Sequence, residues 1–123
     1  MTIERLEVFS LVYQFSPPRG PSIAYGDTHA YAVVKITNSD GVSGWGETYL
    51  LPGVSAIIEE VGSGLIGKDA AQALELKAAF AKGSEHPYAS SAVSIAIDDL
   101  RARERNIPIY DLYGGRTRDR VRA

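Results

Sequence analysis

The sequence predicts an α+β fold: a three-stranded antiparallel β-meander followed by a bundle of three to four helices. Three observations carry this. Apolar residues alternate at period two through the first fifty positions, then switch to helical spacing from residue 52. A turn signal, "NSDG" at 38–41, separates two of the alternating runs. Prolines, glycines and capping residues punctuate the second half at helical lengths. Strands first and helices afterwards is the α+β order.

The first run, "IERLEVFSLVYQF", sets Phe9, Leu11, Tyr13 and Phe15 on one face and Leu6, Val8 and Val12 on the other. It reads as a strand with apolar surface on both sides. "SPPRGPSIAYGD" (16–27) follows, a run with three prolines that reads as a long loop, and long loops in small domains often carry function. In the second strand, "THAYAVVKIT", Ala30, Ala32, Val34 and Ile36 alternate with His29, Tyr31, Val33 and Lys35. The third, "VSGWGETYL", alternates Gly44 and Gly46 with Trp45 and Glu47, leaving one face bare for a close neighbour.

Val54, Ile57, Ile58, Val61 and Leu65 define the first helix, which Gly62 and Gly64 stop. Asp69 and Gln72 resemble a capping box opening a second helix that Gly83 closes. Pro87 suits the first position of a third, whose Ala89, Ala92, Val93, Ala96, Ile97 and Leu100 form an apolar stripe of mostly small residues. Asn106 caps its end, and Pro108 starts a short helix, "IYDLY", ending at Gly114-Gly115.

The chain has 123 residues, 45% hydrophobic and 23% charged, enough for one globular domain. No 18-residue apolar run or signal-peptide core is present, so no membrane partner is expected. Without cysteine there are no disulfides, thiolate metal sites or cysteine nucleophiles, which fits a cytoplasmic protein. The net charge of −2 argues against a general nucleic-acid binder. Charge is uneven: residues 1–100 hold six Lys/Arg against twelve Asp/Glu, and residues 101–123 hold seven against three. The arginines of "GGRTRDRVRA" could serve as a basic arm, but their alternation is that of a linker becoming a strand.

"GSGLIGKD" contains G-x-G-x-x-G and nearly matches a P-loop, but a helix precedes it and Asp69 replaces the magnesium-binding Ser/Thr. It reads as a helix stop followed by a capped helix. His29 and His86 stand alone and read as structural or exposed. Asp98 and Asp99 point about 100° apart on a helix, so they do not share an ion and read as a solvated face. Glu47 has no local partner acid or base and reads as a structural carboxylate. Arg19, near the tip of the 16–27 loop, is either a solubilising charge or a bidentate partner for a carboxylate. Tyr25, Tyr49, Leu50 and Leu51 could line an apolar wall beside it.

"ITNSDGVSGWGE" resembles the hairpin "dG..GwGE", and "HPYASSAVSIAIDDLRARERNIPIYDLYGGRTRDRV" resembles "A..sAi..ALwDl.gk..g.Pvy.LLGG..rd.v". Both are marks of the amino-terminal capping domain in the mandelate racemase/muconate lactonizing enzyme branch of the enolase superfamily. "GLIGKDA" is similar to the family's "liGrdp". Asp98 departs from the usual Trp, and Tyr113 from the usual second Leu of "LLGG".

The resemblance implies a capping domain over 1–113 and a linker over 114–123, leading to a (β/α) barrel of about 250 residues. In such enzymes the barrel supplies lysine or histidine bases and three carboxylates for Mg2+. These abstract the proton alpha to a substrate carboxylate and stabilise the enediolate, in racemases, cycloisomerases and sugar-acid dehydratases. The cap contributes two loops that close over the substrate, here 16–27 with Pro18, Arg19, Ile23 and Tyr25, and 49–54 with Tyr49, Leu50 and Leu51. The 123 residues alone are then expected to hold no catalytic or metal residue and to be inactive. Their partners would be the barrel, further copies in a homo-oligomer and a small carboxylate substrate. The rival expectations are a self-associating interaction module and a nucleic-acid binder using the Arg-rich end.

Overall fold

A computed structural model describes residues 1–20 and 26–122. Strands β1 (Ile3–Arg19), β2 (Gly26–Asn38) and β3 (Ser43–Tyr49) form one antiparallel sheet in the order β1-β2-β3. Helices α1 (Val54–Gly62), α2 (Ala73–Ser84) and α3 (Pro87–Glu104) follow, with short 3-10 turns at Ser63–Leu65, Ala70–Gln72 and Ile109–Tyr113. This is the meander-then-helices order read from the change of period. Among the described residues no helix is long and apolar enough to cross a membrane.

The register pairs Leu6 with Ile36 and Val8 with Val34, then Val34 with Gly46 and Ile36 with Gly44. These residues share the inner face of the sheet, under the helices. A register shift between Ile3 and Arg5 resets the alternation, so Ile3 also reaches the core although its number is odd. Val34 and Ile36 meet Val54 and Ile58 of α1, Phe80 of α2, and Val93, Ile97 and Leu100 of α3 in a single core.

The bare face of β3 is where α3 lies. A Cβ on Gly44 would stand 2.7 Å from Leu100 Cα, and one on Gly46 2.9 Å from Ala96 N, with the Ala96 and Ala92 carbonyls nearer still. The small stripe of α3 and the glycines of β3 therefore form one seam of backbone on backbone. Asp99 closes the open edge of β3 by accepting a hydrogen bond from the Trp45 amide at 2.9 Å.

The β2–β3 turn is organised by Asn38, which is 1% exposed. Its Oδ1 accepts from the amides of Asp40 (3.0 Å) and Val42 (2.9 Å), and its Nδ2 donates to Glu104 Oε1 at 2.7 Å. Gly41 supplies the left-handed residue of the turn, with φ 78°.

Several local expectations are corrected. The 16–27 run is not wholly loop: β1 continues through Pro18 to Arg19, which pairs with Gly26. β1 is an edge strand, so its prolines need no amide partner on one side, and a register shift between Gln14 and Arg19 absorbs the extra residues. Gly83 does not close α2. The helix runs on to Ser84 and Glu85 takes the left-handed position at φ 50°, while a Cβ on Gly83 would press on Val61 at 3.1 Å. That glycine serves close approach of α1. Residues 116–122 form no strand, and Arg116 instead pairs with Asp119 at 2.5 Å on the surface. Asp69 caps a 3-10 turn before α2, but Gln72, at the N-cap of α2, makes no side-chain cap bond, so the expected capping box is not formed. The other ends agree with the sequence: Pro87 opens α3, Asn106 is left-handed at φ 53°, and Gly114 follows the last 3-10 turn at φ 99°.

Candidate functional site

The odd-numbered residues from Glu7 to Phe15 in β1 and from His29 to Lys35 in β2 form the outer face, turned away from the helices. Pairing sets Leu11 against Tyr31, Tyr13 against His29, and Tyr31 against Tyr49. The rings therefore line up across the sheet. Tyr13 and His29 each stand 4.9 Å from Phe15 between ring centroids, His29 stands 6.4 Å from Tyr31, and Tyr31 stacks on Tyr49 at 5.8 Å. The Arg19 guanidinium lies 5.1 Å above the Phe15 ring. A continuous ladder, Arg19–Phe15–His29–Tyr31–Tyr49, thus joins the far end of β1 to the end of β3.

The ladder puts two of the expected site residues, Arg19 and Tyr49, on one surface. Pro18 precedes Arg19 in the same extended segment. Leu50 and Leu51 lean instead on the core and are half-buried, so Tyr49, 56% exposed, is the open member of that second group. Ile23 and Tyr25 lie outside the described residues. Phe15, His29 and Tyr31 were not among the expected site residues. Their alternation was visible, but joining them needed the β1–β2 register.

At the Tyr49 end the ladder opens into a hollow of about 580 Å³, lined by Tyr31, Glu47, Thr48, Tyr49 and the first turn of α3 (Pro87, Tyr88, Ser91). Glu47 is exposed there and makes no ion pair among the described residues. His86 is structural: its Nδ1 accepts from the Ala89 amide at 3.3 Å and caps α3. His29 is a rung of the ladder, with Nε2 3.4 Å from the Arg19 carbonyl.

The remaining sequence leads resolve into structure. The "GSGLIGKD" amides do not form an open cradle: Gly67 N donates to Ile3 O at 2.8 Å, Ile66 N to Ser63 O and Lys68 N to Leu65 O, and the Lys68 carbonyl accepts from Ile3 N at 2.8 Å, which locks this run to the start of β1. Asp69 Oδ1 accepts from the Ala71 amide at 2.9 Å. That bond, helped by the Met1 ammonium 3.6 Å away, holds the carboxyl below its ordinary range. A carboxylate in that place repels phosphate.

Asp98 and Asp99 do diverge as expected, but the solvated-face reading is corrected for Asp98, which is 8% exposed. Its Oδ2 accepts from Lys77 Nζ at 2.5 Å and from the Tyr113 hydroxyl. Asp99 Oδ2 accepts from Trp45 N and from Arg103 Nε, each at 2.9 Å. The two departures from the family pattern, Asp98 and Tyr113, are therefore bonded to each other.

Magnesium needs several oxygen ligands around one point. Among the described residues no three acidic or histidine side chains converge, and both aspartates are already engaged. These residues do not fit a magnesium site. What the surface offers is a wall of rings with a cation at one end and a carboxylate at the other.

Residues 6–114 match the family described as mandelate racemase / muconate lactonizing enzyme, N-terminal domain. D-galactonate dehydratase from Variovorax paradoxus is 33% identical over 110 residues, covering 77% of this chain and 29% of that protein. D-gluconate dehydratase from Thermoproteus tenax is 32% identical over 136 residues, covering 99% of this chain and 25% of that protein. Among solved structures, dipeptide epimerase from Enterococcus faecalis, complexed with Mg and the dipeptide L-Leu-L-Tyr, superposes with TM-score 0.85 at 25% identity, over 94% of this chain and 35% of that one. N-succinyl Arg/Lys racemase from Bacillus cereus superposes with TM-score 0.88 over 96% of this chain and 35% of that one, and at 20% identity it speaks to the fold alone. The chain thus spans between 25% and 35% of the length of these relatives. With the sequence match running from β1 to Gly114 and the same meander and helices in the solved relatives, the chain belongs to the mandelate racemase/muconate lactonizing enzyme N-terminal domain family.

Proposed function

We propose that the chain is the substrate-capping part of a cytoplasmic enzyme that abstracts the proton alpha to a carboxylate, with sugar-acid dehydration the first activity to test. The observation that carries this reading is the ladder from Arg19 to Tyr49, which sets residues of both expected capping segments on one surface. Arg19 offers a planar, permanently charged fork suited to a carboxylate, and the rings form a wall that excludes water from its neighbour. Pro18, Ile23 and Tyr25 belong to the first segment and share its role, while Leu50 and Leu51, leaning on the core, would hold Tyr49 in place. The named sugar-acid dehydratases among the relatives supply the reaction class.

In this reading the cap selects and encloses, and a barrel performs the chemistry. Mg2+ accompanies the E. faecalis neighbour. It would be held by the barrel, since among the described residues of this chain no three acidic or histidine side chains converge on one point. Residues 114–123 then form the link to that barrel, and the whole enzyme assembles as a homo-oligomer.

The test is a magnesium-dependent dehydration assay on a panel of sugar acids. It compares the 123 residues alone with the same residues joined to the barrel of the T. tenax D-gluconate dehydratase. Turnover by the joined protein and none by the chain alone is the expected result. Turnover by the chain alone would end the capping reading.

A second reading, a self-associating module, has one observation in its favour. Phe9, Leu11, Tyr13 and Trp45 are all at least two-fifths exposed on the outer face. Sedimentation of the chain alone separates the two: concentration-dependent dimers lost on Leu11→Lys support association, and a monomer at all concentrations removes it.

A further inference from the structure

The segment between α3 and the last residues has an unusual attachment. It is bounded by left-handed backbone at both ends, Asn106 (φ 53°) and Gly114-Gly115 (φ 99° and 100°). Between them, residues 107–113 contain no buried side chain, and only Ile107 and Leu112 are half-buried. The backbone hydrogen bonds within it are local: Asp111 N donates to Pro108 O and Gly115 N to Tyr110 O, each at 3.0 Å. Its one backbone bond to the helical body, Ile107 N to Ala102 O, sits at its root.

The far end is held by a side chain. Tyr113 is 68% exposed, so its ring lies on the surface, yet its hydroxyl donates to Asp98 Oδ2. The same oxygen accepts from Lys77 Nζ. One carboxylate oxygen of α3 therefore ties together α2, α3 and the 3-10 turn. Among the described residues no other side chain of 107–113 hydrogen-bonds to the body. A hydrogen bond to an ionised acceptor is about twice as strong as a neutral one, so this contact dominates a segment with little apolar burial.

We propose that residues 107–115 form a latched strap: the Tyr113 hydroxyl, Asp98 and Lys77 are the latch, and Asn106 and Gly114-Gly115 are the hinges. Latched, the strap fixes the direction in which the chain leaves α3. Released, its short local turns open, it pivots at Asn106, and the residues after Gly115 change course while the sheet and α1–α3 stay folded. The inference rests on this geometry alone and stands or falls separately from the capping role.

Amide hydrogen exchange on the chain and on Tyr113→Phe, which removes only the hydroxyl, tests it. The Asp111 and Gly115 amides are expected to exchange about tenfold faster in Y113F, with β2 and α3 amides unchanged. A paired variant, Asp98→Ala with Lys77→Ala, removes the acceptor without stranding a charge. It should release the same amides to the same extent, and adding Y113F to it should do nothing further. Unchanged exchange at Asp111 and Gly115 in Y113F would overturn the proposal. So would an increase shared equally by β2 and α3, because the bond would then serve the whole fold and not a strap.

Discussion

On the inner face of the sheet, Gly44 and Gly46 touch the backbone of α3 and nothing larger than hydrogen fits. On the outer face of the same strand, Trp45 and Tyr49 stand exposed, Trp45 beside Phe9 of β1 and Tyr49 stacked on the half-buried Tyr31 of β2. Alternate residues of one strand thus do opposite work. The inner set is fixed by volume, and the stability of the domain depends on it. The outer set contributes modestly to folding and is available for recognition. Separating the two experimentally is the way to learn what the domain is for.

The largest effect belongs to the seam. Gly46→Val drives a branched side chain into the Ala92 carbonyl, and the cost is expected to be about 3 kcal/mol or more. Urea denaturation checks this. A midpoint within error of the parent would mean that α3 does not lie against β3 as described. Next comes the turn that ties the sheet to the end of α3. Asn38→Ala leaves the Asp40 and Val42 amides and Glu104 without their partner, for a loss of about 2 kcal/mol. On the outer face, Tyr31→Ala removes the central rung of the ladder and should cost about 1 kcal/mol or less. A larger loss would mean that the outer rings are part of the core after all.

The smallest effects are electrostatic. The Ala71 amide and then the Met1 ammonium favour ionised Asp69, so its folded pKa lies below the ordinary 3.8. Its contribution is present above that ordinary value and disappears as pH falls through the lower, folded one. Asp69→Ala should therefore flatten the acid limb of a stability–pH curve. Tyr113 shows the opposite sign. Its hydrogen bond to Asp98, with desolvation behind it, raises the phenol above the ordinary 10.0. The latch is complete below pH 10.0 and is lost as pH climbs through the raised value. An ultraviolet titration compared between the chain and Tyr113→Phe should assign a late-ionising phenol to Tyr113, and Asp98→Ala should return it toward the ordinary range.

What could be read without coordinates follows the same division. The inner face announces itself in composition, since Gly-x-Gly in a strand and small residues along a helix have few meanings other than close contact. Helix ends were legible at Asp69, Pro87, Asn106 and Pro108, where a residue's own backbone preference decides. Gly83 misled because its missing side chain answers to Val61 across a helix pair, not to local backbone. The prolines of 16–18 misled because propensity does not know that β1 is an edge strand. The ladder needed the pairing of Tyr13 with His29, which lies in register and not in alternation. Asp98 was least legible of all: its partners come from 21 residues before and 15 residues after.

The proposed capping role rests on the two segments that hold Arg19 and Tyr49 selecting the substrate between them. The most direct measurement is kcat/KM for D-galactonate and D-gluconate in the barrel-joined protein carrying Arg19→Ala or Tyr49→Ala, beside urea midpoints of the same proteins. Each substitution is expected to lower kcat/KM by about tenfold or more and to change the ratio between the two acids, with unfolding free energies within about 0.5 kcal/mol of the parent. Unchanged kcat/KM for both acids in both variants, with the fold intact, would contradict it.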